Sequence, residues 1–184
     1  MDFKKHLETA WNVTLRYITP LIFMTLLMFM VSLLTLGILA PVTMAGYTQA
    51  ILLMVREGRE PRLQDVFAQM HLFLPLLGFG FAVFCAVALG FMLLVLPGVL
   101  VLLAVTFGCL YILPLMTDKG LGLIEAIKES WAMATSGELI DHGVVVILYV
   151  GMCAIGSSVF IGALFTQPLA TVFLMSVYLE RSTD

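Results

Sequence analysis

Long apolar blocks alternate with short polar segments along this chain of 184 residues. Three blocks contain no Asp, Glu, Lys or Arg, namely residues 17–55, 66–117 and 142–179. A helix that spans a bilayer needs about 20 apolar residues, so each block is long enough for two spans. The pattern therefore predicts an all-α polytopic membrane protein whose six transmembrane helices form three hairpins.

Each block also contains a proline where a turn between two spans is expected. The predicted turns lie at residues 37–41, 97–98 and 166–168, and their prolines are Pro41, Pro97 and Pro168. Proline interrupts the hydrogen bonds of a helix, which favours two helices over one long helix in each block. Pro114 lies near the end of the fourth predicted helix and is expected to kink or fray its last turn.

A short amphipathic stretch precedes each predicted hairpin, at residues 3–16, 62–70 and 121–135. In each stretch, apolar residues recur on one side of a helix and charged residues lie on another. Such helices lie along the membrane surface. Tryptophan favours the level of the lipid headgroups, so Trp11 and Trp131 are predicted to be membrane-interface anchors.

The repeated order of surface stretch, span, turn and span describes a single membrane domain over residues 1–184. It divides into three pseudo-repeats, at approximately residues 1–60, 61–119 and 120–184. All nine Lys and Arg residues fall on one side of this topology. Because basic residues accumulate in cytoplasmic loops, both termini are expected to be cytoplasmic.

The composition agrees with a membrane protein and removes some classes of function. Hydrophobic residues make up 61% of the chain and charged residues 11%, whereas soluble domains carry about 25% charged residues. The net charge of −3 provides no basic surface for nucleic acid. Cys85, Cys109 and Cys153 lie in apolar stretches without a CxxC pair, so neither a disulfide nor a zinc site is expected.

The predicted spans hold no acidic or basic residue, and such residues usually mark proton or ion pathways. Some polar side chains within the spans are candidates for the lining of a path: Tyr47, Gln49, Thr106, Tyr111 and Tyr178. Their hydroxyl and amide groups equally suit hydrogen bonds that tie helices together. His71 and His142 are expected to be polar caps at the membrane interface. No catalytic, cofactor-binding or metal-binding residue is predicted.

Small residues recur every four positions along two of the predicted helices. The third predicted helix carries Gly78, Ala82, Ala86 and Gly90, and the fifth predicted helix carries Ala154, Ser158 and Gly162. Such stripes let helix backbones approach closely. They are predicted to be helix-packing residues, either inside one bundle or between two copies of the chain.

Several segments resemble a family of uncharacterised prokaryotic membrane proteins with six helices, which is similar to the membrane domain fused to some glycerophosphodiester phosphodiesterases. The clearest segment, residues 113–137, contains the motif Glu-Ala-x-x-x-Ser-Trp at Glu125, Ala126, Ser130 and Trp131. Other similar segments are the Leu-Pro-Gly turn at 96–98, Gly46-Tyr47, Arg56-Glu57-Gly58 and residues 166–178. The resemblance implies a six-helix fold in a prokaryotic cytoplasmic (inner) membrane, and it carries over no phosphodiesterase activity.

The sequence therefore favours a non-enzymatic inner-membrane protein. It would act through contacts with membrane lipids, with another membrane protein or with a second copy of itself, and no nucleic acid or cofactor is expected. The alternative is a channel or facilitator for a small neutral or lipidic molecule. An enzyme that acts on membrane lipids through polar residues of the surface stretches is the least favoured hypothesis.

Overall fold

The computed structural model describes residues 2–136, 139–157 and 160–183, and every regular element within them is helical. Two short 3-10 helices, Leu63–Phe67 and Met70–Leu72, lie between the third and fourth α-helices. The α-helices of the described residues are α1 Phe3–Arg16, α2 Ile18–Leu34, α3 Ala40–Glu57, α4 Phe73–Leu93, α5 Val95–Gly108, α6 Ile112–Asp118, α7 Leu123–Thr135, α8 Leu139–Ser157 and α9 Phe160–Thr183.

Four helical runs in the described residues are long and apolar enough to cross a membrane: Leu63–Leu93, Val95–Asp118, Leu139–Gly156 and Gly162–Ser182. A fifth candidate arises if α1 and α2, which meet at 88°, count as one bent span. α2 alone has 17 residues, about 26 Å of helix at 1.5 Å per residue, which is shorter than a bilayer core of about 30 Å. The fold is thus an all-helical membrane protein with four or five candidate spans where the sequence predicts six.

The core of the protein forms around α3. Ile51 of α3 packs in one cluster with Leu21 and Met24 of α2 and with Phe173 and Met175 of α9, and all five side chains are fully buried. Because neighbouring helices surround much of α3, its hydroxyl-bearing side chains Thr43, Tyr47 and Thr48 are buried.

The structure agrees with the predicted turn position of one of the three prolines and differs for the other two. Pro41 lies at the start of α3, as predicted. Pro97 instead lies inside the first turn of α5, where a missing N–H costs little, and the chain turns at Leu94, which is extended. Pro168 lies inside α9, so the predicted turn at 166–168 is wrong. Membrane helices tolerate an internal proline when neighbouring groups satisfy the freed backbone.

The sequence predicts one amphipathic helix over residues 62–70, but the structure has the two short 3-10 helices in this region. Asp65 accepts hydrogen bonds from the Arg62 backbone N–H at 3.0 Å and from the Arg59 guanidinium at 2.9 Å, which closes a tight turn. This turn lies against the middle of α3, where a side chain at Gly46 would overlap the backbone oxygens of Asp65 and Val66.

The small-residue stripe of α4 does not pack inside the chain over most of its length. Gly78, Ala82 and Ala86 are exposed, and only Gly90 makes a close contact, against the Gly98 backbone of α5. The reason is that α4 and α5 meet tightly beside their shared turn, and no described helix covers the opposite face of α4 at these three residues. Packing of this stripe within the chain is thus limited to Gly90, and packing of the stripe against a second copy of the chain stays a prediction.

The second stripe lies at the junction of α8 and α9. Ala154 is exposed, and Gly162 lies beside the Gly156 backbone. Ser158, the remaining member of the predicted stripe, lies outside the described residues.

The first amphipathic helix packs against the last helix of the chain. His6 of α1 contacts Ser176 Oγ through Nδ1 at 2.7 Å and Glu180 Oε2 through Nε2 at 2.8 Å. Trp11 lies edge-on to Phe165 with 5.8 Å between ring centroids. These contacts lie about 15 residues apart on α9, or about 22 Å at 1.5 Å per residue, so α1 follows α9 over several turns.

We expect Gly46→Ala to destabilise the fold, because the new methyl group meets backbone atoms that cannot rotate away. Overpacking of this kind costs about 1–3 kcal/mol, and the melting temperature in detergent should fall. Gly78→Ala is the matched control, since its methyl group meets no atom within 4 Å. Equal melting temperatures for the two variants would contradict the close contact at Gly46.

Candidate functional site

The candidate site is built around a break in the run Val95–Asp118. α5 ends at Gly108 and α6 begins at Ile112, so residues 109–111 are not helical. Pro114 explains the position of the break, because proline has no N–H and its ring clashes with the carbonyl four residues earlier. That carbonyl belongs to Leu110, in the middle of the break.

Side chains of two other helices satisfy backbone groups that the break frees. Ser130 of α7 donates its hydroxyl hydrogen to the Gly108 carbonyl at 2.7 Å and accepts from the Tyr111 N–H at 3.2 Å. His142 of α8 donates from Nε2 to the Phe107 carbonyl at 2.8 Å. Both side chains are buried. A buried backbone group without a partner costs about 1–3 kcal/mol, so these bonds stabilise the break.

Trp131 holds α7 against the same break. Its indole ring lies on Gly108, and a side chain at that position would overlap the ring. The ring is still 47% exposed, so one face packs on the protein and the other is open. Trp131, which the sequence predicts to be an anchor at the membrane interface, therefore also packs on Gly108 and fixes α7 to the end of α5.

Aromatic rings surround the backbone bond of His142. The His142 ring lies edge-on to Phe107 at 4.5 Å and 5.6 Å from the ring of Tyr111. Tyr178 of α9 follows at 6.3 Å from Tyr111. Among the described residues, the buried Tyr111 hydroxyl and the Nδ1 atom of His142 have no hydrogen-bond partner. These contacts join α5, α8 and α9.

A polar network closes the end of the bundle below these rings. Tyr178 donates to Asp118 at 3.1 Å, and Arg56 binds both oxygens of Asp118 at 2.6 and 2.7 Å. Gln69 donates to Gln49, which in turn donates to the Thr117 carbonyl at 3.3 Å. The network fixes the ends of α3, α6 and α9 at one level.

The structure separates the five predicted polar-lining residues. Tyr111 and Tyr178 lie in one cluster with tilted rings, and Gln49 joins the same end of the bundle through Thr117. Tyr47 is buried elsewhere, in a hydrogen bond with Thr25 at 2.9 Å. Thr106 donates to the Leu102 carbonyl at 2.8 Å and lines two apolar cavities. In the part of the chain that the structure describes, these side chains do not line one shared path.

An apolar groove lies between α5 and α8, and we call it the α5–α8 groove. Its volume is about 800 Å³, and its walls include Leu100, Leu103 and Phe107 of α5 and Val146, Val150 and Gly151 of α8. Phe107 is also the residue whose carbonyl binds His142. The two helices are therefore joined at this bond and separate beyond it to form the groove.

The sequence reasoning missed the roles of Ser130 and His142. A signal for the break was present, because Pro114 follows an apolar run and frees a carbonyl four residues earlier. No sequence spacing indicates which distant polar side chains reach the freed groups. Among the described residues, no group of three or more His, Cys, Asp or Glu side chains comes together.

No protein-family model, curated protein or solved structure matches this chain. The family resemblance of the motif at Glu125 to Trp131 therefore stays a prediction. Two of its residues, Ser130 and Trp131, are the ones that hold α7 on the break, which gives that part of the motif a structural role in this chain.

Ser130→Ala should lower stability, because it leaves the Gly108 carbonyl and the Tyr111 N–H without their partner. A buried unsatisfied group costs about 1–3 kcal/mol, and the loss is measured as a lower unfolding midpoint in detergent. Thr135→Ala on the same helix is the control, since the Thr135 hydroxyl is exposed and bonds only within α7. A Ser130→Ala variant as stable as Thr135→Ala would show that the break does not depend on this hydroxyl.

Proposed function

We propose that this chain is a non-enzymatic membrane protein that binds the acyl chains of membrane lipids in the α5–α8 groove. The observation that carries the proposal is the groove itself, which has apolar walls and opens between two helices that are candidate spans. Ligand sites have volumes of about 300–1,000 Å³, and this groove falls within that range.

The charges of the chain support recognition of the lipid tail over recognition of an anionic headgroup. Arg56 pairs with Asp118, Arg59 pairs with Asp65 at 2.9 Å, and Lys119 pairs with Glu129 at 3.8 Å. Basic side chains that are neutralised within the protein attract anionic lipids weakly. The groove walls carry no charged side chain, so the shape of the groove is left to select its occupant.

The proposed setting is a prokaryotic cytoplasmic membrane, with six membrane-embedded helical segments and both termini in the cytoplasm. Contacts among predicted cytoplasmic residues support this arrangement. Tyr17, which precedes α2, donates to the Gly58 carbonyl after α3 at 3.0 Å. Arg56 at the same end of α3 binds Asp118 of α6, which also accepts from Tyr178 of α9, so the ends of these segments lie together on one side.

The orientation can be measured by cysteine labelling in a variant that lacks the three native cysteines. Glu60→Cys and Lys119→Cys should react with a membrane-impermeant maleimide only after the membrane is opened. Leu94→Cys, at the opposite turn, should react from outside in intact cells. Labelling of position 60 or 119 in intact cells would contradict the proposed orientation.

Lipid binding is tested by filling the groove. Gly151 lines the α5–α8 groove and has no atom within 4 Å of the position of an added Cβ, so Gly151→Phe places a ring in the groove without a clash at Cβ. We expect photo-crosslinking of a phosphatidylcholine with a diazirine on its acyl chain to fall about fivefold, which corresponds to roughly 1 kcal/mol. In the wild type, mass spectrometry should locate the crosslinked lipid on residues of α5 and α8.

Gly143→Phe is the matched control for this experiment. Gly143 lies on the same helix, is equally free of atoms within 4 Å, and lies outside the groove walls. Its crosslinking should equal that of the wild type. If Gly151→Phe also crosslinks like the wild type, acyl chains do not occupy the groove. If the protein instead carries a solute across the membrane of lipid vesicles, and Gly151→Phe blocks this transport, the facilitator hypothesis replaces lipid binding.

A further inference from the structure

α2 and α3 form a hairpin whose two ends lie together. Tyr17, just before α2, donates its hydroxyl hydrogen to the Gly58 carbonyl, just after α3, at 3.0 Å. α2 has 17 residues and α3 has 18, so the helices are about 26 and 27 Å long. A bilayer core is about 30 Å thick. Each helix is therefore shorter than the core that it would have to cross.

A charged turn lies beside the middle of α3. A Cβ added to Gly46 would lie 2.6 Å from the Asp65 backbone oxygen, so Asp65 is at the level of Gly46. The Asp65 carboxylate pairs with the Arg59 guanidinium at 2.9 Å, and the Arg59 side chain is 41% exposed. An exposed charge inside the hydrocarbon is costly. The edge of the hydrocarbon therefore lies close to the level of Gly46 on this face of α3.

The part of the hairpin beyond Gly46 is short. α3 begins at Ala40, six residues earlier, which is about 9 Å of helix. Even if fully extended, the chain from Ala40 back to Gly37 adds only about 10 Å. The turn thus reaches at most about 20 Å past the level of Gly46, and any tilt of α3 shortens this reach. A core of about 30 Å extends well beyond the turn.

The neighbouring helix α4 continues where this hairpin ends. A Cβ added to Gly80 would lie 4.0 Å from Pro41, which is in the first turn of α3. α4 runs on from Gly80 to Leu93, a further 13 residues, which is about 20 Å of helix. On this side of the bundle, α4 is long enough to reach the far side of the bilayer, and the hairpin is not.

The side chains of the turn suit lipid better than water. Leu33, Leu34 and Leu36 are 78%, 79% and 91% exposed, and Thr35 is the one polar residue of residues 33–41. Leu36 has a φ of 51°, a left-handed conformation that Gly, Asn and Asp adopt more readily. The chain instead has leucine at this position, which adds apolar surface to the end of the hairpin.

The amides of the turn are satisfied without water. All six consecutive N–H groups from Thr35 to Ala40 donate hydrogen bonds within the hairpin. Five donate to backbone carbonyls at 2.7–3.2 Å, and the Leu39 N–H donates to the Thr35 hydroxyl at 3.3 Å. That hydroxyl donates in turn to the Val31 carbonyl at 2.8 Å. Because unpaired amides are costly in hydrocarbon, this pattern suits a turn inside the lipid.

We propose that α2 and α3 form a re-entrant hairpin, which enters and leaves the membrane on the side where Tyr17 and Gly58 lie. Its tip, residues 33–36, is covered by lipid acyl chains inside the bilayer, and lipid fills the part of the bilayer beyond the tip. The four long apolar runs then cross the membrane, and this even number of crossings keeps both termini on one side. The inference does not depend on lipid binding in the α5–α8 groove.

Cysteine labelling measures the position of the tip in the variant that lacks the three native cysteines. In opened membranes, Leu36→Cys should react with a membrane-impermeant maleimide at less than about one-tenth of the rate of Leu94→Cys, because apolar surroundings suppress the reactive thiolate. In denaturing detergent the two variants should react equally. Leu94→Cys is the matched control, since it also replaces an exposed leucine, at the turn between α4 and α5.

A spin label on the same cysteines reports depth independently. At position 36 it should collide often with oxygen, which concentrates in the bilayer interior, and rarely with a water-soluble nickel chelate. At position 94 the chelate should have access. Ile38→Cys replaces Leu36→Cys if that variant does not fold. Maleimide labelling of position 36 as fast as that of position 94 would overturn the inference, as would equal access of the nickel chelate to both labels.

The outcomes are independent of the test of lipid binding. If Gly151→Phe lowers crosslinking while position 36 is open to water, the groove binds lipid and α2 and α3 both cross the membrane. If position 36 is shielded from water while Gly151→Phe crosslinks like the wild type, the hairpin is re-entrant and the proposed function fails.

Discussion

The requirement that every buried backbone polar group find a partner governs this structure. Pro114 prevents α5 and α6 from forming one helix, and the interruption frees carbonyl and amide groups within the candidate span Val95–Asp118. The buried side chains of Ser130 and His142 satisfy three of these groups, each from a different helix. These bonds link α7 and α8 to the end of α5.

The same bonds border the space that we assign to a lipid. His142 joins α8 to α5 at Phe107, while the α7 contact through Ser130 and Trp131 holds the other side of the break. The α5–α8 groove lies between the two helices beside this linked end. The Arg56–Asp118–Tyr178 network then keeps α6 in place. Phe107 therefore belongs both to the hydrogen-bonded break and to the wall of the apolar site.

The sequence was sufficient for the class of fold but not for its details. A helix that crosses the hydrocarbon of a bilayer needs about 20 apolar residues, so the long uncharged blocks predict an all-helical membrane protein. The structure confirms that class of fold. The sequence could not place Pro168, which looks like a turn residue but lies inside α9. Nor could it show that Gly78 is exposed while Gly46 receives a neighbouring backbone. Such outcomes depend on which helices are neighbours, and periodicity does not contain that information.

A crystal structure of the chain grown from a lipid mesophase is the most direct measurement of the link between the break and the lipid site. We expect α5 to end at Gly108 with the Phe107–His142 bond intact, and an acyl chain to lie along Leu103 and Val150 in the α5–α8 groove. An unbroken helix through residues 109–111, with α5 and α8 in direct side-chain contact and no lipid between them, would contradict both the constraint and the site built on it.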